Sequence, residues 1–170
     1  NIKVVDNKQD TTTELLEPGP DLSAAEKEKF LSRFKKLTAE SEIIAACGSL
    51  PPGAGDDFYK KLITAATKGN KRFILDTSGI PLKKAAAAAP FMIKPNEDEI
   101  KYLMEEDYQE IQEYVEPLEF LRELGIELPV ITLGERGCVA LIKGKAFHFP
   151  ALSVSVKNVV GSGDAFTGGC

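Results

Sequence analysis

Short apolar runs and amphipathic stretches take turns along most of the chain, an alternation of periods near 2 and near 3.6 that marks a parallel sheet covered by helices. The segment SAAEKEKFLSRFKKL begins with Ser23 and Glu26 at capping-box spacing and places Phe30, Leu31, Phe34 and Leu37 on one face of a surface helix. EIIAACGSLPPG then predicts a buried strand from Ile43 to Cys47, running into a loop that Pro51, Pro52 and Gly53 keep from becoming helix. The cycle repeats: a helix from Asp57 to Lys68 stopped by Gly69, the strand RFILD, an alanine-rich helix ended by Pro90, and the strand FMIKP. A short helix in NEDEIKYLM and a longer one reaching Leu124, with Gly125 as its stop, lead to the strand PVITLG. CVALIKGKAFHFPAL breaks the rhythm, because two strand-like runs flank Lys143-Gly144-Lys145 as an antiparallel hairpin. No internal repeat or flexible linker divides the sequence, so the expectation is a single α/β domain over residues 1–170.

Composition narrows the class of partner. The 170 residues are 43% hydrophobic, enough for one sizeable core. Twenty-one basic and 26 acidic residues give a net charge of −5, and neither sign gathers into the long block that a nucleic-acid or membrane surface would need. Neither partner is expected, which leaves a small molecule. Cys47, Cys138 and Cys170 are an odd set without CxxC spacing, so the sequence indicates neither a zinc site nor a disulfide framework and fits a reducing, cytoplasmic setting. No apolar run approaches the ~18 residues of a membrane span, and no signal segment opens the chain. Because the chain starts at Asn1 and stops in what reads as the first turns of a helix, a fragment truncated at both ends is expected.

In open α/β sheets ligands bind outside the carboxyl ends of the strands, which directs attention to four loops: GSLPPG (48–53), KPNEDE (94–99), TLGERG (132–137) and GSGD (161–164). Gly161, Ser162 and Gly163 let successive N–H groups converge on an anion, and a helix starting near Asp164 would add its positive dipole end. A carboxylate beside an anion cradle repels phosphate unless its charge is used, as by a general base taking a proton from an attacking hydroxyl. The plain alternative is a glycine-rich turn with Asp164 as helix N-cap. A dinucleotide fingerprint from Gly161 fails at Phe166, and a P-loop from Gly163 fails at Gly169 and Cys170. Asn96 and Glu99 stand at i and i+3 on a first helical turn, where they can orient water around Mg²⁺ or simply cap the helix. Lys94 is placed to meet a phosphate. Asp76 faces the same edge but reads as a strand-end turn residue, and His148, the only histidine, reads as structural within its strand.

Taken in order, GSLPPG, LDTSG, KPNEDEI, ITLGERG and NVVGSGDAFTGG, with TTTELLEPGP near the start, resemble the motifs of the ribokinase-like carbohydrate kinases, specifically the phosphosugar branch that holds tagatose-6-phosphate kinase and 1-phosphofructokinase. The resemblance covers nearly the whole chain. It implies a mostly parallel sheet flanked by helices, with Asp164 as the base that meets the acceptor hydroxyl and Gly161, Ser162 and Gly163 as the anion hole. Lys94, Asn96, Thr132, Gly134 and Gly137 would line the ATP site, Asn96 and Glu99 would organise Mg²⁺ largely through water, and Ser49 would contact the sugar phosphate. The family's N-terminal strands, sugar-binding glycine motif and C-terminal helical region are not in this sequence, so an incomplete domain is implied. The activity implied is ATP-dependent phosphorylation of a ketohexose phosphate to a bisphosphate. Ser162 and TELLEPGP lean towards tagatose 6-phosphate as acceptor; 1-phosphofructokinase and a non-catalytic nucleotide- or sugar-binding fragment are the alternatives. A homodimer is the candidate assembly of the longer protein.

Overall fold

The capping box at Ser23 forms as the spacing predicts, with Glu26 N donating to Ser23 Oγ at 3.3 Å and Ser23 N donating to the Glu26 carboxylate at 2.9 Å. The computed structural model describes residues 2–6, 11–15, 17–154 and 161–170. Two short strands, β1 (Ile2–Asp6) and β2 (Thr11–Leu15), pair antiparallel as a ribbon of their own, and α1 (Ala24–Glu40) follows. Then come β3 (Ile43–Cys47), α2 (Phe58–Lys68), β4 (Arg72–Asp76), α3 (Gly79–Ala86), β5 (Met92–Ile93) and α4 (Glu97–Met104). The chain continues through α5 (Val115–Glu123), β6 (Leu128–Thr132), β7 (Cys138–Ile142), β8 (Lys145–Phe149) and α6 (Ser162–Gly169).

The six strands β3 to β8 lie side by side in sequence order. β3, β4, β5 and β6 run parallel, and β7 and β8 are antiparallel additions, so the sheet is mostly parallel with a hairpin at one edge, as predicted. One face carries the main core: Phe58, Leu62 and Ile63 of α2, Leu82 and Ala85 of α3, Ile100 of α4 and Leu118 and Leu121 of α5 pack on Phe73, Leu75, Ile93 and Ile131 of the strands. The opposite face holds a smaller cluster of Ile74, Met92, Val130, Cys138 and Ala140, against which Phe166 of α6 packs. Helices on both faces let the central strands be apolar on both sides, which is why they read as continuous runs.

Several boundaries differ from the sequence pattern for identifiable reasons. The ribbon β1–β2 is not visible as a period because no core imposes one; Val4 and Leu15 are exposed. β3 is an edge strand among the described residues, and Ile43 is 55% exposed, so it is not the buried strand its composition suggests. In α1 Leu31 and Phe34 of the predicted apolar face pack on the core, while Phe30, its ring 5.6 Å from that of Phe58, and Leu37 are about half exposed. The alanine run leaves the helix after Ala86, well short of Pro90, and Ala89 adopts a left-handed φ of 50°. The long helix expected before Leu124 is a 3₁₀ turn (Ile111–Tyr114) followed by α5, whose first turn holds Pro117, where a missing N–H costs nothing.

The tightest backbone approach fixes the loop after β6. Gly137 has φ 92° and ψ −128°, and a Cβ there would lie 2.0 Å from the Phe149 carbonyl oxygen and 2.7 Å from Ala151 N. Only glycine fits. Gly137→Ala should therefore destabilise the protein by more than the roughly 1–3 kcal/mol of a disfavoured backbone region, since the contact adds to it. Chemical denaturation of the variant checks this; Gly134→Ala, whose Cβ position is open, should cost less.

Candidate active site

The carboxyl ends of the parallel strands gather the chemistry. β4 ends at Asp76, and the residue after β5 is Lys94, whose Nζ lies 3.0 Å from Asp76 Oδ2. Lys94 is 4% exposed, so its ammonium depends on this pair rather than on water. Thr167 Oγ1 of α6 lies 3.2 Å from the same Asp76 oxygen and 3.0 Å from Gly163 O, its single O–H shared between the two acceptors, which ties α6 to the strand end. Gly163 sits directly above: a Cβ there would be 3.7 Å from Lys94 Nζ. The absence of a side chain lets the first turn of α6 approach the ion pair.

Gly161, with φ 76°, is the N-cap of α6, and Asp164 lies in the first turn. This corrects the reading of Asp164 as the cap. Its carboxylate stands with Cys47 Sγ and an Asp76 oxygen in a group whose ligand atoms all lie within 4.8 Å of one another. Burial pushes the Cys47 thiol up from its ordinary pKa; the charges of Asp76 and Asp164 add to this and Lys94 opposes it. The part of the glycine motif from Asn158 to Val160 lies outside the described residues.

Seven of the predicted residues, Lys94, Asn96, Thr132, Gly134, Gly137, Ser162 and Gly163, line one cavity of about 650 Å³, closed on another side by Phe149 and Pro150. A size of roughly 300–1,000 Å³ is that of a small-molecule site. Ser49 lines a second, larger cleft of about 1000 Å³ with Thr77 and Ser78. The two spaces meet the acidic cluster through the chain itself, because Ser49 and Thr77 follow Cys47 and Asp76 closely. Gly48, φ 97°, makes that junction: its N–H donates to Asp76 O, and its carbonyl accepts from Tyr59 OH at 2.9 Å and Thr77 Oγ1 at 2.8 Å.

Asn96 and Glu99 form the capping box of α4, each backbone N–H donating to the other side chain at 2.9 Å. The helix-cap reading of the pair thus stands. Burial holds the Glu99 carboxyl above its ordinary value; the hydrogen bond from Asn96 N lowers it, Asp76 raises it and Lys94 lowers it, so Glu99 feels the charges of the strand-end cluster. Its donor set is hard oxygen, which suits Mg²⁺ held through water. The loop 132–137 is braced from outside, since Arg136 binds Glu97, Tyr114 OH and the Gln109 carbonyl. His148 is exposed, and its Nε2 lies 2.8 Å from the Arg136 carbonyl, a structural position as expected.

Asp76 is the residue that sequence reasoning undervalued. As the last residue of a parallel strand it occupied the right edge; its lysine partner and Thr167 were not apparent from the sequence.

The doubly covered, mostly parallel sheet, with a small-molecule-sized cavity beside a helix N-terminus, is an α/β architecture of the ribokinase-like kind, as the comparisons bear out. The family comparison agrees over residues 1–170: the chain belongs to the pfkB family of carbohydrate kinases. Among solved structures it is similar to phosphofructokinase-2 from Escherichia coli in complex with potassium, at 25% identity and TM-score 0.84, covering 98% of this chain and 54% of that one. The same enzyme in complex with fructose-6-phosphate gives 24% identity, TM-score 0.83, and 98% and 55% coverage. A possible 1-phosphofructokinase from Thermotoga maritima gives 20% identity, TM-score 0.74, and 85% and 46% coverage. The chain therefore spans about half the length of these structures. Among the described residues no helix is long and apolar enough to cross a membrane.

Removing Asp76 strands a buried ammonium. Asp76→Ala should destabilise the protein by roughly 3–5 kcal/mol, whereas Asp76→Leu combined with Lys94→Met should recover much of that loss. Urea denaturation of the single and double variants measures the difference; equal losses in both would show that the ion pair is not what the fold depends on here.

Proposed function

We propose that this chain carries the nucleotide site and general base of a cytoplasmic, ATP- and Mg²⁺-dependent sugar-phosphate kinase. The observation that supports it best is the placement of Asp164 in the first turn of α6, next in the chain to Gly163 of the cavity lined by the ATP-type loops and within 4.8 Å of Cys47 and Asp76, which shortly precede Ser49 and Thr77 of the second cleft. In this reading the acceptor lies in the Ser49 cleft and its hydroxyl proton passes to the Asp164 carboxylate. The freed oxygen attacks the γ-phosphorus, the new P–O bond forms in line, and the bond to ADP breaks with ADP leaving. The backbone N–H groups at Gly161, Ser162 and Gly163 and the α6 dipole hold the phosphoryl charge, with Lys94 beneath them. Bound Mg²⁺ would neutralise phosphate charge, and Asn96 and Glu99 are the residues to hold its water shell.

The acceptor is a phosphorylated ketohexose, in keeping with the fructose-6-phosphate complex of the similar phosphofructokinase-2. Tagatose 6-phosphate is the favoured member on the sequence features of Ser162 and TELLEPGP, and fructose 1-phosphate the runner-up on the similarity to the Thermotoga maritima protein. The product is a bisphosphate. An assay of the whole protein with ATP and a panel of ketohexose phosphates separates these, and no turnover of any of them would overturn the reading.

Asp164→Asn should lower kcat by on the order of 10²- to 10⁴-fold, the usual contribution of a positioned base, with little change in ATP affinity. The anion hole is backbone and stays in place. Near-normal turnover would remove Asp164 from the mechanism; a parallel fall in ATP affinity and Tm would make it a loop-holding residue instead.

Glu99→Gln keeps the capping interaction, since Gln serves at that position. The raised folded-state pKa means that the folded protein binds a proton more tightly than the unfolded chain, so the ionised Glu99 costs stability above the folded pKa. Relative to wild type the variant should melt at an equal or higher temperature at neutral pH, and this advantage should vanish as pH falls below the ordinary carboxylate range. In the assay it should need more Mg²⁺. An unchanged Mg²⁺ profile would leave Glu99 a helix cap alone.

A further inference from the structure

The cysteines lack metal-site spacing in the sequence, yet the fold brings one of them against two carboxylates. Cys47 ends β3, Asp76 ends β4 and Asp164 sits in the first turn of α6, and one ligand atom from each lies within 4.8 Å of the other two. Three separate elements thus hold one sulfur and two oxygens around a common point. We propose that this trio is a site for a thiolate-binding divalent cation of the Zn²⁺ class, separate in chemistry from the Mg²⁺ that phosphoryl transfer needs.

The donor set decides the metal. Zn²⁺ binds sulfur at about 2.3 Å and carboxylate oxygen at about 2.0–2.2 Å, so two donors on one tetrahedral ion stand roughly 3.5 Å apart. A spacing of up to 4.8 Å needs closing by at most about 1.3 Å, within reach of side-chain rotation at exposed Cys47 and Asp164. Mg²⁺ prefers an all-oxygen octahedron and gains nothing from a thiolate, so the sulfur is a selective element. Three protein ligands leave the fourth tetrahedral position to a water or to an oxygen of bound substrate. The local charge is favourable, because two carboxylates and a thiol share one small region, and Lys94 is the opposing cation. Lys94 and Thr167 both bond Asp76 through Oδ2, so Oδ1 is the oxygen Asp76 would turn to the metal.

An ion held there occupies the Asp164 carboxylate. It would stop that group from taking the acceptor proton, making the site a brake on transfer by soft divalent metals. The brake rests on the proposed role of Asp164 as base; the binding does not.

The test is a titration of the protein with Zn²⁺ by calorimetry and with Co²⁺ by absorption, in excess Mg²⁺. One equivalent should bind, with the ultraviolet thiolate-to-cobalt charge-transfer band. Cys47→Ser, a near-isosteric change at an exposed position, should abolish the band and weaken Zn²⁺ binding by at least ~100-fold, the upper end of what losing even a supporting group costs. Asp164→Asn should weaken it as well, whereas Cys138→Ser and Cys170→Ser should keep the band. No band in the parent protein, a band that survives Cys47→Ser, or one that disappears with Cys138 or Cys170 would overturn the site. Binding at Cys47 that leaves phosphoryl transfer undisturbed supports the site and removes Asp164 as base, which keeps the two ideas separately testable.

Discussion

The ion pair between Lys94 and Asp76 is the interaction around which the rest of the site is arranged. A lysine with 4% of its surface exposed cannot draw on bulk water for its charge, so an anion must stand beside it, and Asp76 does at 3.0 Å. That anion comes from the neighbouring strand of a parallel sheet, which means β4 and β5 must hold register to bring the two together. Their pairing is short, two residues on β5, so the ion pair marks the place where a brief ladder has to end correctly. Thr167 then attaches α6 to the same oxygen, and the helix N-terminus is held where an anion can meet it. A buried pair of this kind is weak evidence for stability, because its desolvation offsets much of its attraction. What it supplies is position.

Glycines do the complementary work. Gly163 carries no side chain between α6 and the ion pair, Gly48 turns the end of β3 so that its carbonyl accepts two hydroxyls, and Gly137 lets the loop after β6 touch residues 149–151 backbone to backbone. Gly163 and Gly137 both line the cavity beside α6. At its start the loop from Thr132 to Gly137 is held by Thr132 N donating to Pro95 O, and Arg136 braces it from the far side through Glu97 and Tyr114. Glycines at 134, 137 and 163 thus open backbone to the cavity alongside the Lys94 side chain, and exposed N–H groups of this kind suit an anion.

Local signals were legible in the sequence and long-range pairings were not. Ser23 with Glu26 and Asn96 with Glu99 declare themselves at spacing three, and both boxes form; Ile43–Cys47 and Arg72–Asp76 have the boundaries their apolar runs suggest. Of the cavity-lining residues, Lys94, Asn96, Thr132, Gly134 and Gly137 were legible because they belong to glycine- or proline-bearing segments after strands, and Ser162 and Gly163 because they belong to a glycine-rich helix start; Cys138, Phe149 and Phe166 were not. Asp76 was not, since its role comes from a lysine on another strand and a threonine 91 positions away. The exposure of β3 was hidden for a related reason: an apolar strand has the same sequence at the edge or the centre of a sheet, and only its neighbours decide. Phe30 and Leu37 show the converse, apolar residues at helical spacing that the described fold leaves half in solvent.

The strand ends also gather like charge. Asp76 and Asp164 bring two carboxylates close together, with one lysine for countercharge. The arrangement repels itself, and it would relax if either acid turned away. Asp76 is fixed by Lys94 and Thr167, so the freedom to move falls on exposed Asp164, the group that the proposed reaction needs to approach a hydroxyl and take its proton. Asp76 thus holds the scaffold, and in the proposed reaction Asp164 is the carboxylate left for chemistry. An exposed carboxylate of this kind meets whatever cation arrives, which is why the base of the proposed reaction also stands among the donors of the proposed metal site.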